Sequence, residues 1–174
     1  MSLSDSILIT QVILNDEHRA FKKLVERYQS DIRGLFLRLT HGNKGIVDDL
    51  AQESFIRIYK YLSGYRAKAN FKTWIFRIAY NVYYEYHTKN KIVQVDIDSV
   101  EAINQEHSNS SSAIDFQQAL RVLNPNERIA IVLHYEKGFT HREISSITKQ
   151  PLGTVKTNIL RGKEKLKIFY SYEQ

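Results

Sequence analysis

The stretch "FTHREISSITKQPLGTVKTNILRGKEKLKIF", residues 139–169, sets two runs of helical apolar spacing on either side of a short break. Thr140 with Glu143 has the spacing of a capping box and opens a short helix whose Ile144 and Ile147 face inward. Thr148 to Gly153 forms the break, where Pro151 cannot continue the helix before it. From Thr154 onward, Val155, Ile159, Gly162, Leu166 and Phe169 recur at steps of four and three and define one buried stripe. The opposite face carries Thr154, Thr157, Asn158, Arg161 and Lys165, flanked by Lys156, Lys163 and Lys167. Two short helices joined by a tight turn have helix-turn-helix proportions, and the second presents short polar donors first and cations further along. That order suits a DNA major groove: Thr and Asn reach base edges while Lys and Arg hold phosphates. A solvated basic helix in an ordinary helical hairpin is the competing reading.

Upstream, "NPNE" combines an N-cap (Asn124), a Pro at the first helical position (Pro125) and Glu127 at the third. The helix it opens carries Ile129, Val132 and Leu133 and ends near Gly138. Before it, Ile114, Ala119, Leu120 and Leu123 suggest one more helical segment. The N-terminal part also reads as helices. Phe21, Leu24, Val25, Tyr28, Ile32, Leu35, Phe36 and Leu39 form one stripe. Val47, Leu50, Ala51, Phe55, Ile58 and Leu62 form a second, after the interruption "HGNKG". A third helix, from Phe71 to about Lys89, buries Phe71, Trp74, Ile75, Ile78 and Val82, with Asn70 as its N-cap. Asp16 and the apolar run before Asn15 suggest a further small helix at the start. No strand-like alternation persists anywhere, so the expected fold is all-α.

Hydrophobic residues at 43% and charged residues at 25% are a globular composition, and only two Pro and seven Gly favour long helices. There is no cysteine, which excludes disulfides and thiol chemistry and fits a reducing cytoplasm. The run Ile7 to Leu14 is too short to span a bilayer and lacks a basic flank, so neither anchor nor signal peptide is expected. The net charge of +6 is uneven. Residues 1–90 hold 14 Lys/Arg against 9 Asp/Glu, residues 91–115 hold 1 against 5, and residues 116–174 hold 10 against 5. Two basic blocks around an acidic connector point to two modules that meet a polyanion. The polar segment Val95 to Ala113 cannot bury enough apolar surface to offset its ordering entropy. The expected division is therefore a helical bundle at 1–92, a flexible linker at 93–113 and a helix-turn-helix domain at 114–174.

Two clusters stand out in the first module. Asp49 and Glu53 share a helix face, with Asp48 about a quarter-turn away. No His or further carboxylate sits at ligand-like spacing, so neither a metal nor a catalytic site is expected, and a solvated acidic face is the plain reading. The third helix holds seven aromatics in 16 residues. Phe76, Tyr80, Tyr83 and Tyr84 do not all fit its buried stripe, and with Lys72, Arg77 and Asn81 between them they suit a platform for unstacked bases.

The segment from Leu123 to Lys167, with "GTVK" at Gly153 to Lys156, resembles region 4 of bacterial RNA polymerase sigma factors. "AFKKLVERY", "DDLAQESFIRIYKYL" and "FKTWIFRIAYN" resemble region 2. The two in this order, joined by a short linker, are similar to the extracytoplasmic-function (group IV) sigma factors. The resemblance implies a transcription initiation factor that binds core RNA polymerase and promoter DNA and needs no cofactor or small-molecule substrate. It implies that Asp48, Asp49, Gln52 and Glu53 face the polymerase clamp helices, giving orientation and encounter rate more than raw affinity. It implies that the loop Tyr65 to Asn70 traps a base extruded from the minus-ten element, that Arg66 and Lys68 hold phosphates, and that the aromatic helix helps melt the duplex. Minus-thirty-five contacts fall to Thr154, Lys156, Thr157, Asn158, Arg161 and Lys165, and an anti-sigma protein is the implied partner of the idle form. Three positions depart from the family pattern: Tyr80 where a basic residue is common, Lys149 at a turn position that favours Gly, and Thr157–Asn158 for a pair that is often Ser and Arg. A stand-alone helix-turn-helix regulator is the alternative; it leaves the acidic helix and the aromatic platform without a role.

Overall fold

The computed structural model describes residues 4–15, 17–67, 70–95 and 116–172, and among these there is no strand. The N-terminal half consists of α1 (Asp5–Asn15), α2 (His18–Leu39), α3 (Lys44–Tyr61) and α4 (Phe71–Val95). The C-terminal half begins with a helical turn ending in Leu120–Val122, followed by α5 (Pro125–Ile131), α6 (His141–Thr148) and α7 (Leu152–Tyr172). α4 runs a few residues into the stretch read as a connector. The rest of that connector, together with Asp16, Lys68 and Ile114, lies outside the described residues.

The apolar periodicities dictate the packing. Leu8, Ile9 and Val12 of α1 are buried on α2, and Asp5 accepts hydrogen bonds from Tyr28 and Arg27, tying the two helices together. The α2 stripe buries Leu24, Ile32, Leu35, Phe36 and Leu39, and α3 answers with Val47, Leu50, Ala51 and Ile58. The interruption "HGNKG" is a helix stop followed by a helix start. The amide of Gly42 reaches back to the Leu37 carbonyl at 2.9 Å, which closes α2 with His41 in the left-handed region (φ 55°) at the position glycine usually takes. Asn43 then caps α3, its side chain accepting from the Ile46 amide at 3.2 Å. Asn70 caps α4 as its sequence position predicts, accepting from the Lys72 amide at 2.9 Å.

In the C-terminal half both predicted capping boxes form, Asn124 with Glu127 and Thr140 with Glu143, and Pro125 occupies the first turn of α5. α5 continues into a π turn over Val132–Glu136, where the Lys137 amide bonds the Val132 carbonyl at 3.1 Å. Gly138 (φ 76°) then reverses the chain and Phe139 is buried. Lys149 takes the left-handed conformation (φ 56°) in the turn after α6, the strain its non-Gly identity predicts. α7 starts at Leu152, two residues before the predicted position, because Pro151 has no amide to satisfy and its carbonyl serves Val155 at 3.1 Å. Gly162 lets α7 cross α5 closely: a Cβ at that position would lie 2.6 Å from Cγ1 of Ile131.

The two halves lie against each other. α6 packs along α4, and the ring of Phe139 meets Phe76 edge-on at 4.8 Å. Arg38 of α2 donates to Glu136 at 2.8 Å and to Gln117 at 3.2 Å. Arg128, itself buried, donates to the His41 ring at 2.8 Å. Desolvation of that ring, with the Arg128 and Arg121 charges beside it, lowers the His41 pKa to about 4 although its outer edge stays in solvent. His41 therefore accepts as a neutral imidazole.

Candidate nucleic-acid interface

α7 presents the face that its periodicity predicts, with two exceptions. Thr154, Lys156, Thr157 and Arg161 are exposed along its first three turns, while Val155, Ile159 and Gly162 are buried behind them. Asn158 is turned inward instead: it is 9% exposed and donates to the Gln150 side chain at 3.2 Å. Gln150 in turn donates to Asn126 at 3.1 Å, so this chain braces the turn between α6 and α7. Lys165 places its ammonium on both oxygens of Glu127 at 2.8 and 3.1 Å. Glu127 is almost fully buried and already serves the α5 cap, so Lys165 supplies the counter-charge that its burial requires. Both residues sit at the border of the buried stripe, where a one-dimensional face assignment is least decisive. The carboxyl pKa of Glu143, in the cap of α6, is lowered by the Thr140 amide and hydroxyl and by Thr73.

The second candidate surface is α4 with the loop before it. Arg66, Asn70, Arg77 and Tyr84 are exposed, and Asn81 is half-buried. Tyr65 packs its ring on Phe71 and Trp74 at 5.2 and 5.3 Å, and Lys72 pairs with Asp31 at 3.4 Å. Phe76 and Tyr80 are not open to a ligand in this arrangement: they are 0% and 7% exposed, and Thr73 and Tyr83 are buried beside them. An amphipathic reading buries one face of α4. The helix is instead covered on two, by α3 and by α6. Burial pushes the Tyr80 and Tyr83 hydroxyl pKa values up.

The third surface is a groove of about 590 Å³ between α2 and α3. Phe21, Val25, Phe55 and Ile56 form its apolar lining, with Asp48 and Gln52 also on its wall. Asp49 and Gln52 are exposed. Asp48 accepts from Arg33, and Glu53 accepts from Arg57 at 2.6 Å. Arg57 also clasps Glu85 of α4 through two parallel bonds of 2.8 Å, which lower the Glu85 pKa and fix α3 on α4. Of the four carboxylate and amide positions singled out in the sequence, Asp49 and Gln52 are the free-facing pair, while Asp48 and Glu53 are held by arginines. The groove itself is not legible along the chain. Ile56, 54% exposed and off the α3 stripe, was its one local signal, whereas the contributions of Phe21 and Val25 needed the packing of α2 on α3.

Among the described residues no group of three or more His, Asp or Glu could hold a metal ion, and no helix is long and apolar enough to cross a membrane.

Comparison with known proteins shows the family. Residues 24–92 match the family described as Sigma-70 region 2, and residues 113–166 match Sigma-70, region 4. Proteins named ECF RNA polymerase sigma-E factor from Salmonella typhimurium (strain LT2) and Escherichia coli (strain K12) are each 32% identical over 183 aligned residues, covering 93% of this chain and 92% of theirs. The solved structure of the sigma factor RpoE in complex with the anti-sigma factor NepR from Bartonella quintana superposes with a TM-score of 0.75, at 24% identity over 88% of this chain and 98% of that one. That of CnrH in complex with the cytosolic domain of CnrY gives 0.73, at 21% identity over 98% and 99%. Both share the all-α fold. A stand-alone helix-turn-helix regulator would leave the region 2 match unexplained. The chain belongs to the extracytoplasmic-function sigma factors, the RNA polymerase subunits that act in transcription initiation.

Proposed function

We propose that this sigma factor divides its work among the three surfaces, with residues 1–92 serving polymerase and the minus-ten element and residues 114–174 serving the minus-thirty-five element. The observation that carries this reading is the exposed row Thr154, Lys156, Thr157 and Arg161, set behind a capped turn on a helix whose other side is core. A groove-reading helix needs its first turns free and its far side anchored. Thr154 and Thr157 address base edges, while Lys156 and Arg161 address phosphates. Asn158 and Lys165 act behind them, holding the turn and the Glu127 charge.

The groove between α2 and α3 receives the polymerase clamp helices. Its apolar lining supplies buried area, and Asp49 and Gln52 supply orientation toward basic partner residues. Tyr65, Arg66 and Asn70, with Lys68, surround the base drawn out of the minus-ten element, and the α4 aromatics stack on the opened strand. Opening a duplex in this way is a binding reaction, so no nucleophile, general base, metal or cofactor is required and the chain is not an enzyme. Its place is the cytoplasm, where polymerase and DNA are. The two similar solved structures are complexes with an anti-sigma factor in one case and with a cytosolic domain in the other, which supports a protein partner for the idle form.

Reconstituted transcription tests the reading. Purified chain added to core polymerase should produce start sites that core alone does not. Asp49→Lys should weaken polymerase binding tenfold or more while leaving duplex binding by α7 unchanged; equal loss of both would refute the assignment of Asp49 to the polymerase surface.

A further inference from the structure

α1 does more than cap the bundle. Its inner face buries Leu8, Ile9 and Val12, and it touches the helical turn Leu62–Gly64 that leads into the stretch before α4. Asp5, its first residue, accepts from Arg27 and from the Tyr28 hydroxyl. The Tyr28 ring, 8% exposed, carries this contact onward to the start of α4. It meets Phe71 edge-on at 5.7 Å, and Phe71 meets Tyr65 edge-on at 5.2 Å. Phe71 also stacks on Trp74 at 5.6 Å, where Tyr65 leans at 5.3 Å. A continuous line of contacts therefore joins the Asp5 carboxylate to Tyr65. Burial and the Asp5 charge both push the Tyr65 hydroxyl pKa up, so the two ends feel each other. Two residues further on, Ala67 is exposed yet stands in the left-handed region (φ 52°). A non-Gly residue keeps such a backbone only where its surroundings over-determine it. Ahead of it the Tyr65 amide donates to the Leu62 carbonyl at 3.0 Å, and behind it Asn70 caps α4.

We propose that Asp5 and the Tyr28 hydroxyl are positioning residues for capture of the extruded minus-ten base: acting through Phe71, they hold Tyr65 and the backbone up to Ala67 in the shape that receives it. The proposal rests on the reading of Tyr65 and Arg66 as part of the base pocket. Neither Asp5 nor Tyr28 touches the base. Ring contacts alone are permissive, since aromatic pairs attract over centroid separations of about 4.5–7 Å and at more than one tilt. The bond from the Tyr28 hydroxyl to the Asp5 carboxylate is directional and charge-assisted, so it fixes one orientation of the ring against Phe71. Arg27 holds the other carboxylate oxygen and keeps it aimed. A pocket already shaped when the base arrives loses no binding free energy to its own ordering. The consequence falls on base choice more than on overall hold. A loosened pocket takes any base that stacks, whereas a fixed one rejects a base that leaves its polar groups unpaired. An α1 that merely stabilised the bundle would leave base preference untouched.

The test uses the full-length chain assembled on core polymerase. A pool of random 12-nucleotide single strands is bound to the complex and to core polymerase alone, and the retained strands are sequenced. The wild-type complex should enrich one base at one position over core alone. Asp5→Ala and Tyr28→Phe should each lower that enrichment about tenfold, the effect of losing a hydrogen bond to a charged group, with polymerase affinity unchanged. Tyr28→Phe keeps the ring on Phe71, so it stays readable even if Asp5→Ala unseats α1. The double variant should be no worse than either single one, because both break the same bond. Asp5→Asn still offers an acceptor to the Tyr28 hydroxyl and should keep most of the enrichment. Enrichment that survives Tyr28→Phe overturns the proposal. So does a fall matched by an equal loss of polymerase affinity, which marks a general structural role. Tyr65→Ala separates the proposal from the reading beneath it. If that change abolishes the enrichment while Tyr28→Phe spares it, positioning alone is wrong. If Tyr65→Ala leaves it intact, or the wild-type complex shows none, the pocket reading falls and the proposal with it.

Discussion

Gly162→Ala adds one methyl group at the tightest crossing in the C-terminal half. The new Cβ would lie 2.6 Å from Cγ1 and 3.0 Å from Cδ1 of Ile131, and 3.7 Å from Cβ of Glu127. Ordinary contact begins near 3.4 Å, so α7 and α5 must part by most of an ångström or Ile131 must leave its rotamer. Ile131 is 1% exposed and has no empty space to enter. Overpacking of this kind costs about 1–3 kcal/mol. Against it stands the helix propensity of Ala over Gly, worth about 1 kcal/mol in a helix interior. The expected net effect is therefore a loss of about 0–2 kcal/mol, measured by urea unfolding of the full chain followed by far-ultraviolet circular dichroism. Ile131→Ala removes both clashing atoms and by itself costs about 2–5 kcal/mol as a cavity. In the Gly162→Ala background part of that cavity is refilled, so the double variant should be more stable than the sum of the two by at least about 1 kcal/mol. A Gly162→Ala chain that gains about 1 kcal/mol, or a cycle that is additive, would refute the close crossing and with it the seating of the exposed row on α7.

Two further outcomes follow from the same geometry. Glu143→Ala removes the reciprocal half of the α6 capping box and should cost about 1 kcal/mol at pH 7. The folded-state pKa of Glu143 is lowered below its ordinary carboxylate value, so its contribution is complete above the ordinary value and is lost as pH falls through the lowered one. The urea midpoints of wild type and variant should therefore converge in acid, and a gap that persists unchanged to low pH would disprove the linkage. Arg161→Ala should weaken minus-thirty-five duplex binding and flatten its salt dependence by about one unit of slope; an unchanged slope would remove Arg161 from the phosphate contacts.

The caps, stops and stripes were legible because each is a local rule. Asn70, Asn124 and Thr140 cap helices where their side chains can reach an amide two or three residues on, and nothing distant can change that reach. Lys149 was legible as strained from the family pattern, which favours Gly at that turn position, and its φ is 56°. Residues at the edge of a stripe were not legible. Asn158 and Lys165 have sequence positions as good as those of Thr157 and Arg161, and only Gln150 and the buried Glu127 draw them into the fold. The groove between α2 and α3 could not be read either: Phe21, Val25 and Phe55 belong to the two stripes, but that they line an open groove rather than the core depends on how the two helices pack.

The order of polar and apolar residues along each helix was enough to determine an all-α chain with one helix basic on its outer face and another acidic, since helical periodicity is written within a few turns. What becomes of the second face of α4 was decided by tertiary structure alone. Phe76 and Tyr80 are apolar enough to be core and flat enough to stack on bases, and their own neighbourhood satisfies both. Phe139, brought from more than 60 residues away in the sequence, settles the matter for Phe76 by packing against it, and Tyr80 is buried beside it. Burial depends on which surfaces meet, and no local pattern encodes that meeting.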